Sequence, residues 1–221
     1  MTKARRCSSG ALLLLALGST HASEGVKLRP LSAIYADDRG SGLRQPEGVA
    51  FDGKSLLAVA DTGNRRLLKY TIAGDQATPA GEVRLNEIPC PIKVQFGPQG
   101  DLFVLDGKSR RIARVSPAGE FKGYVQPAGD GQAGPSMPRS FAIDREGDLH
   151  VLDVFQARIL VLDPAGRTQR TIAYPAKQGF LSDLAVDGRG TVFAVDSVGR
   201  RVFVARKTDV ALVPLTGGMQ A

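Results

Sequence analysis

Four aspartates, each followed five positions later by an arginine, are the residues of this sequence best placed to act in concert. They are Asp61 and Arg66, Asp106 and Arg111, Asp153 and Arg158, and Asp196 and Arg201. A tight turn that brings a carboxylate beside a guanidinium allows a bidentate, charge-assisted pair, and the same carboxylate can also accept N–H groups of the turn. Such a pair fixes geometry. Four copies of one arrangement, about 45 residues apart, point to four structural clamps rather than four active centres.

Other chemistry is sparse. Apart from His21 near the start, the only histidine is His150, which stands in an alternating apolar run without a second histidine or cysteine in its motif, so it reads as a structural residue and not a metal ligand. Cys90 sits between Pro89 and Pro91 with no base in its local motif, so nothing activates it as a nucleophile. The tetrapeptide from Asp106 to Ser109 echoes the end of a phosphate-binding loop but lacks the preceding glycine-bearing segment. The sequence therefore predicts no catalytic residue, no metal site and no cofactor. Calcium held in a central channel by carboxylates from separate repeats is the alternative left open.

A second set of positions changes chemistry from repeat to repeat. Aligning the four copies puts Glu47, Ile92, Arg139 and Ser182 at one position and Gly48, Lys93, Ser140 and Asp183 at the next. The charged members, Glu47, Lys93, Arg139 and Asp183, are expected to form a mixed-charge rim that orients a polar or charged partner, because charge patterns discriminate and steer more than they add affinity. The competing reading is a solvated rim that tolerates any polar residue.

The elements that must position these residues are short strands. Each aspartate closes an alternating apolar run, with Leu57/Val59, Phe103/Leu105, His150/Leu152 and Phe193/Val195 as its packing residues, and each arginine opens another. Upstream lies a further run, from Pro46, Pro91, Pro138 and Leu181, in which Val49/Phe51, Val94/Phe96, Phe141/Ile143 and Leu184/Val186 alternate with small residues such as Ala50, Ala142 and Ala185. Gly- and Asp-containing turns join the runs, and a weaker fourth extended run follows. Four antiparallel strands per unit, repeated radially, predict an all-β chain and a β-propeller of four-stranded blades. With only four recognisable repeats, the expectation is a small or incomplete ring, and an incomplete one must hide apolar faces by self-association or against another domain.

The repeat resembles the NHL family, whose units carry a Pro-x-Gly-Val-Ala-hydrophobic-Asp strand and then an apolar strand closing in Asp-x-x-Asn-x-Arg. The first unit matches through Pro46, Gly48, Val49, Ala50, Asp52, Asp61, Asn64 and Arg66. Later units depart from it, with Lys93 and Ser109, Ser140 and Gln156, and Asp183 and Gly199 at the glycine and asparagine places. The resemblance implies the propeller fold. For function it implies a protein-binding platform, an RNA-binding module or, in related six-bladed forms, a lyase or lactonase.

Composition narrows these choices. Of 221 residues 43% are apolar, and 26 glycines and 13 prolines fit one turn-rich β domain. Residues 1–22 read as a secretory signal peptide: Lys3, Arg5 and Arg6 precede an apolar core from Ala11 to Leu17 and a small-residue cleavage site at Ala22. Residues 23–42 are a linker with a leading strand within Lys27 to Ala36, residues 43–217 the propeller, and residues 218–221 a loose tail. Cleavage would leave Cys90 as the single cysteine and no membrane span, and place the protein in the periplasm or outside the cell. It would also reduce the formal charge from +7 to about +4, with arginines interleaved among acids, which disfavours a nucleic-acid partner. The expected function is that of an exported, non-catalytic binding or scaffold protein holding a protein or an extracellular polymer by a propeller face or channel mouth. The alternative is a small-molecule lyase or lactone hydrolase with a metal-assisted channel site.

Overall fold

The computed structural model describes residues 30, 32–128, 136–175 and 179–216. The expected signal peptide, part of the expected leading strand, and the tail fall outside the described residues. Among the described residues sixteen strands form four antiparallel sheets, and in each the strands lie in sequence order from the innermost outward. Blade 1 comprises β1 (Pro46–Phe51), β2 (Leu56–Asp61), β3 (Arg66–Ala73) and β4 (Gln76–Val83). Blade 2 comprises β5 (Pro91–Phe96), β6 (Leu102–Asp106), β7 (Arg111–Val115) and β8 (Phe121–Tyr124). Blade 3 comprises β9 (Pro138–Ile143), β10 (Leu149–Asp153), β11 (Arg158–Leu162) and β12 (Thr168–Ala173). Blade 4 comprises β13 (Leu181–Val186), β14 (Val192–Asp196), β15 (Arg201–Ala205) and β16 (Val213–Pro214). The four blades are arranged as a β-propeller, with successive innermost strands β1, β5, β9 and β13 packed in order. Among the described residues no helix is long and apolar enough to cross a membrane.

The strand alternation gives every blade two faces, a leading face toward the preceding blade and a trailing face toward the next. Three joints repeat one construction. Ala50, Ala58, Ala60 and Leu67 on the trailing face of blade 1 meet Val94, Val104, Ala113 and Val115 of blade 2. Leu105 and Ile112 meet Phe141, Val151, Leu160 and Leu162 of blade 3. Ala142, Leu152, Ile159 and Val161 meet Leu184, Val192, Ala194 and Phe203 of blade 4. The alanines of the innermost strands are thus packing residues. In β2 it is Ala58 and Ala60, not Leu57 and Val59, that correspond to Phe103 and Leu105. The sequence pairing slipped by one residue there, and a one-residue slip exchanges the two faces of a strand.

The chain segment between blades belongs to each joint. Leu85 and Ile88 pack into the first, Val125 into the second and Tyr174 into the third. In front of blade 1, Ile34 and Leu43 occupy the same role against Val59, Leu68 and Tyr70, with no blade before them among the described residues. Residues 32–45 form no ladder strand. They contribute the single bridge Ala36 to Gly42 and a turn in which Asp37 Oδ1 accepts the Arg39 and Ser41 amides at 2.9 and 2.8 Å.

Candidate functional site

The repeated aspartates are buried, each 0% exposed, and they act mainly on backbone. Asp106 accepts the Cys90 amide at 2.6 Å and the Ser109 amide at 2.6 Å. Asp153 accepts the amides of Met137, Phe155 and Gln156 at 3.0, 3.1 and 3.3 Å. Asp196 accepts those of Gly179, Phe180 and Gly199 at 2.7, 2.9 and 2.7 Å. Asp61 accepts the Arg44 amide at 2.7 Å and the Asn64 side-chain amide at 2.9 Å. One carboxylate therefore sews the turn of the β2–β3 type of hairpin to the segment that leads into the innermost strand. The residue before each arginine, Arg65, Arg110, Ala157 or Arg200, is left-handed with φ between 51° and 56°, which closes the turn.

The arginines are less uniform than their spacing suggests. Arg66 Nε lies 2.7 Å from Asp61, and the same guanidinium reaches Asp37 at 2.5 Å and Glu82 at 2.9 Å in a buried network. Arg158 and Arg201 lie 3.6 and 3.4 Å from Asp153 and Asp196. In blade 2 the expected clamp is absent. Arg111 instead lies over the Tyr124 ring of β8, 3.6 Å from its centroid, while Arg201 of blade 4 lies 5.2 Å from the Phe203 ring.

Backbone donors hold the Asp196 carboxyl down to about 2, the Gly179 amide first and the Gly199 amide next. Turn amides likewise hold Asp187 and Asp163 below the usual carboxylate range. A group whose folded pKa is depressed contributes stability that is present above its unfolded value and is lost as pH falls through the folded one. Unfolding free energy measured by circular dichroism is therefore expected to hold above about pH 4 and to fall steeply between about pH 4 and pH 2. A flat profile across that interval would remove these carboxylates as staples.

The variable positions gather at the axial end of the blades. Lys93 Nζ donates to Ser140 Oγ at 2.8 Å and to Asp183 Oδ1 at 2.6 Å, and the Ser140 hydroxyl also donates to Asp183. One network so spans the innermost strands of blades 2, 3 and 4. Burial works to raise the Asp183 pKa, but the Lys93 and Ser140 hydrogen bonds outweigh it and hold the carboxyl low. Gly48, the fourth member of this position, lies tight against β5: a Cβ there would stand 3.0 Å from the Ile92 carbonyl oxygen and the Lys93 Cα.

Glu47 and Arg139 do not join that network. They occupy the extra residue of a β-bulge that recurs between Pro46 and Gly48, Pro91 and Lys93, and Leu181 and Asp183, and the same irregularity marks blade 3 beside Pro138. A bulge residue is left out of the ladder and turned aside. Glu47 is exposed. Arg139 is stacked 5.6 Å from the Phe180 ring, and its Nε is buried without a hydrogen-bond partner. The charged rim read from sequence is thus two structures, an internally satisfied network and a separate arginine.

At the other end of the innermost strands, a cavity of about 460 Å³ is walled by Phe51, Asp52, Lys54, Phe96, Gln99, Asp144 and Arg145. Asp144, Glu146 and Asp148 on the adjoining β9–β10 turn can bring carboxylate oxygens within 4.8 Å of one another. This is the acidic group among the described residues that could hold a cation. Burial first, and then the Asp144 charge, raise the Asp148 pKa. Each neighbour already has a partner: His150 Nε2 lies 3.0 Å from Asp144 and Lys207 2.8 Å from Glu146. His150 is accordingly tied down inside blade 3. Cys90 is a free, half-buried thiol.

No protein-family model matches the chain, and no curated protein does. Solved structures do. A catalytically inactive virginiamycin B lyase from Staphylococcus aureus, determined with quinupristin, is similar at 15% identity and a TM-score of 0.59, over 79% of this chain and 56% of that one. A streptogramin B lyase is similar at 14% identity and 0.58, over 76% and 53%. The hydrazine synthase of Kuenenia stuttgartiensis is similar at 19% identity and 0.59, over 82% and 50%. The chain spans about half the length of the structures it matches. At these identities the likeness shows the propeller fold alone.

Proposed function

We propose that this is an exported, periplasmic or extracellular binding or scaffold protein of NHL-like repeats, which holds a protein or an extracellular polymer at the axial rim formed by the starts of its innermost strands. The observation that carries this reading is Arg139. Its guanidinium is stacked on Phe180, its Nε is buried without a partner, and the bulge turns it out of the ladder. A guanidinium held in this way lacks the carboxylate or phosphate that its fork matches, and aromatic stacking has already removed much of its freedom. Lys93 and Asp183 stand beside it on the neighbouring strands as an ion pair whose carboxylate side chain is 60% exposed. So exposed a pair adds little stability, about 0–1 kcal/mol, and its value lies in orienting a charged partner.

The partner chemistry is a carboxylated protein segment or polymer. Titration calorimetry with polygalacturonate as probe is expected to show salt-sensitive binding that Arg139→Ala weakens roughly tenfold, while the melting temperature moves by no more than about 2 °C. Equal affinity for parent and variant would remove the rim as the binding surface.

A second reading rests on Asp144, Glu146 and Asp148 beside the 460 Å³ cavity. It is a small-molecule lyase or lactone hydrolase using a metal ion held by that turn. Calcium-dependent turnover of a lactone, lost in Asp148→Asn, would favour it over the binding reading.

A further inference from the structure

The two ends of the blade series are the two halves of the joint that the chain builds three times internally. On the leading face of blade 1, Val49 is 66% and Phe51 51% exposed, while their equivalents Val94 and Phe141 are 3% and 0% exposed and Ile143 is 9%. The linker that belongs to such a joint is already seated there, through Ile34 and Leu43. Among the described residues nothing supplies the trailing face of a preceding blade.

Blade 4 presents such a face. Cross-strand partners share a face, so Ala185, Phe193, Val204 and Val213 form one row across all four strands, with Val195 and Val202 forming a second. Ala185 is exposed, Val195 is 43% and Val213 51% exposed, and Phe193, Val202 and Val204 are only half-buried. The equivalent residues of blade 3, Ala142, Leu152, Ile159 and Val161, are all buried against blade 4. The row is apolar from the innermost to the outermost strand, so it has the composition of a joint and not of a solvated surface.

We propose that the occupant of each terminal face is a second copy of this chain: the trailing face of blade 4 of one copy packs on the leading face of blade 1 of the other, and the reverse contact closes an eight-bladed ring. The argument is continuity with the three internal joints. A face whose partner type, linker and side-chain sizes recur within the chain is complementary to the opposite end of an identical chain. Two head-to-tail joints related by a two-fold axis satisfy both ends of both copies, whereas one joint alone leaves two faces open. Eight blades lie within the range that radial sheets accommodate. The inference does not depend on the rim around Arg139, so either can fail alone.

Sedimentation velocity of the full exported chain tests it. The expected result is a species of twice the chain mass whose size stays constant as concentration rises. Phe51→Asp and Val195→Asp, each an exposed position in the single chain, are expected to give folded monomers with dimer association weakened at least a hundredfold. An equimolar mixture of the two variants is expected to regain association, because the intact trailing face of the first meets the intact leading face of the second. A monomeric parent, a mass that grows with concentration, a dimer indifferent to both substitutions, or a mixture that stays monomeric would each overturn the proposal.

Discussion

Replacing Asp106 by alanine is expected to lower stability by about 3 kcal/mol, whereas replacing Arg111 by alanine costs less than about 1 kcal/mol. Blade 2 separates two explanations that coincide elsewhere. In blade 1 the carboxylate serves both backbone and guanidinium, so its loss would mix the two effects. In blade 2 the guanidinium is over Tyr124, and the carboxylate serves the Cys90 and Ser109 amides alone. Removing a fully buried acceptor leaves those two donors with no partner, so that of the ties between the hairpin turn and the segment before β5 only the Gly107 amide to the Cys90 carbonyl remains. For a chain of this size the loss corresponds to a fall in melting temperature of roughly 10 °C, read by calorimetry or circular dichroism. Asp106→Asn should recover only part of it, since a neutral amide oxygen accepts less strongly than a carboxylate. Equal losses for the Asp106 and Arg111 variants would restore the ion pair as the essential feature.

Phe141→Ala is expected to cost about 3–5 kcal/mol and Val49→Ala less than about 1 kcal/mol in the isolated chain, although the two residues occupy one register position. Phe141 pairs with Val151 in β10 and lies in the joint between blades 2 and 3, fully buried. Truncation there opens a cavity that rigid neighbouring sheets cannot collapse into. Val49 pairs with Val59 in the same way, but its side chain faces water. Urea unfolding at several protein concentrations gives both numbers. If the terminal faces pair between copies, the Val49→Ala cost will rise with protein concentration while the Phe141→Ala cost will not. A large, concentration-independent cost at Val49 would mean that this face is closed within one chain.

Much of the architecture was legible because strands and turns write themselves locally. Alternation with a period of two, glycine- and aspartate-bearing turns, and the recurring aspartate and arginine were enough to predict four four-stranded antiparallel blades. A further local signal is that Pro46 to Asp61, Pro91 to Asp106, Pro138 to Asp153 and Leu181 to Asp196 share one separation, while the spacing between blades varies. That constancy is what a carboxylate tying a hairpin turn to the start of the innermost strand requires. From the sequence each aspartate is expected to meet its arginine and the amides of its own turn; that amides of the segment leading into the innermost strand join them is decided by the fold, because a distant backbone amide leaves no mark in residue type.

Other outcomes were decided only in three dimensions. No residue type marks a β-bulge here, since Glu47, Ile92, Arg139 and Ser182 share no chemistry; the bulge exists because an innermost strand must bend where its ladder ends. It alone divides Lys93 and Asp183 from Glu47 and Arg139. Tyr124, thirteen residues after Arg111, captures that guanidinium only because β7 and β8 lie side by side. The sequence also repeats the same apolar pattern in all four blades, so it cannot distinguish Val49 from Phe141. Whether an alternating residue is core or surface depends on whether a neighbouring blade stands against it, and that is a property of the assembled sheets, not of any one strand.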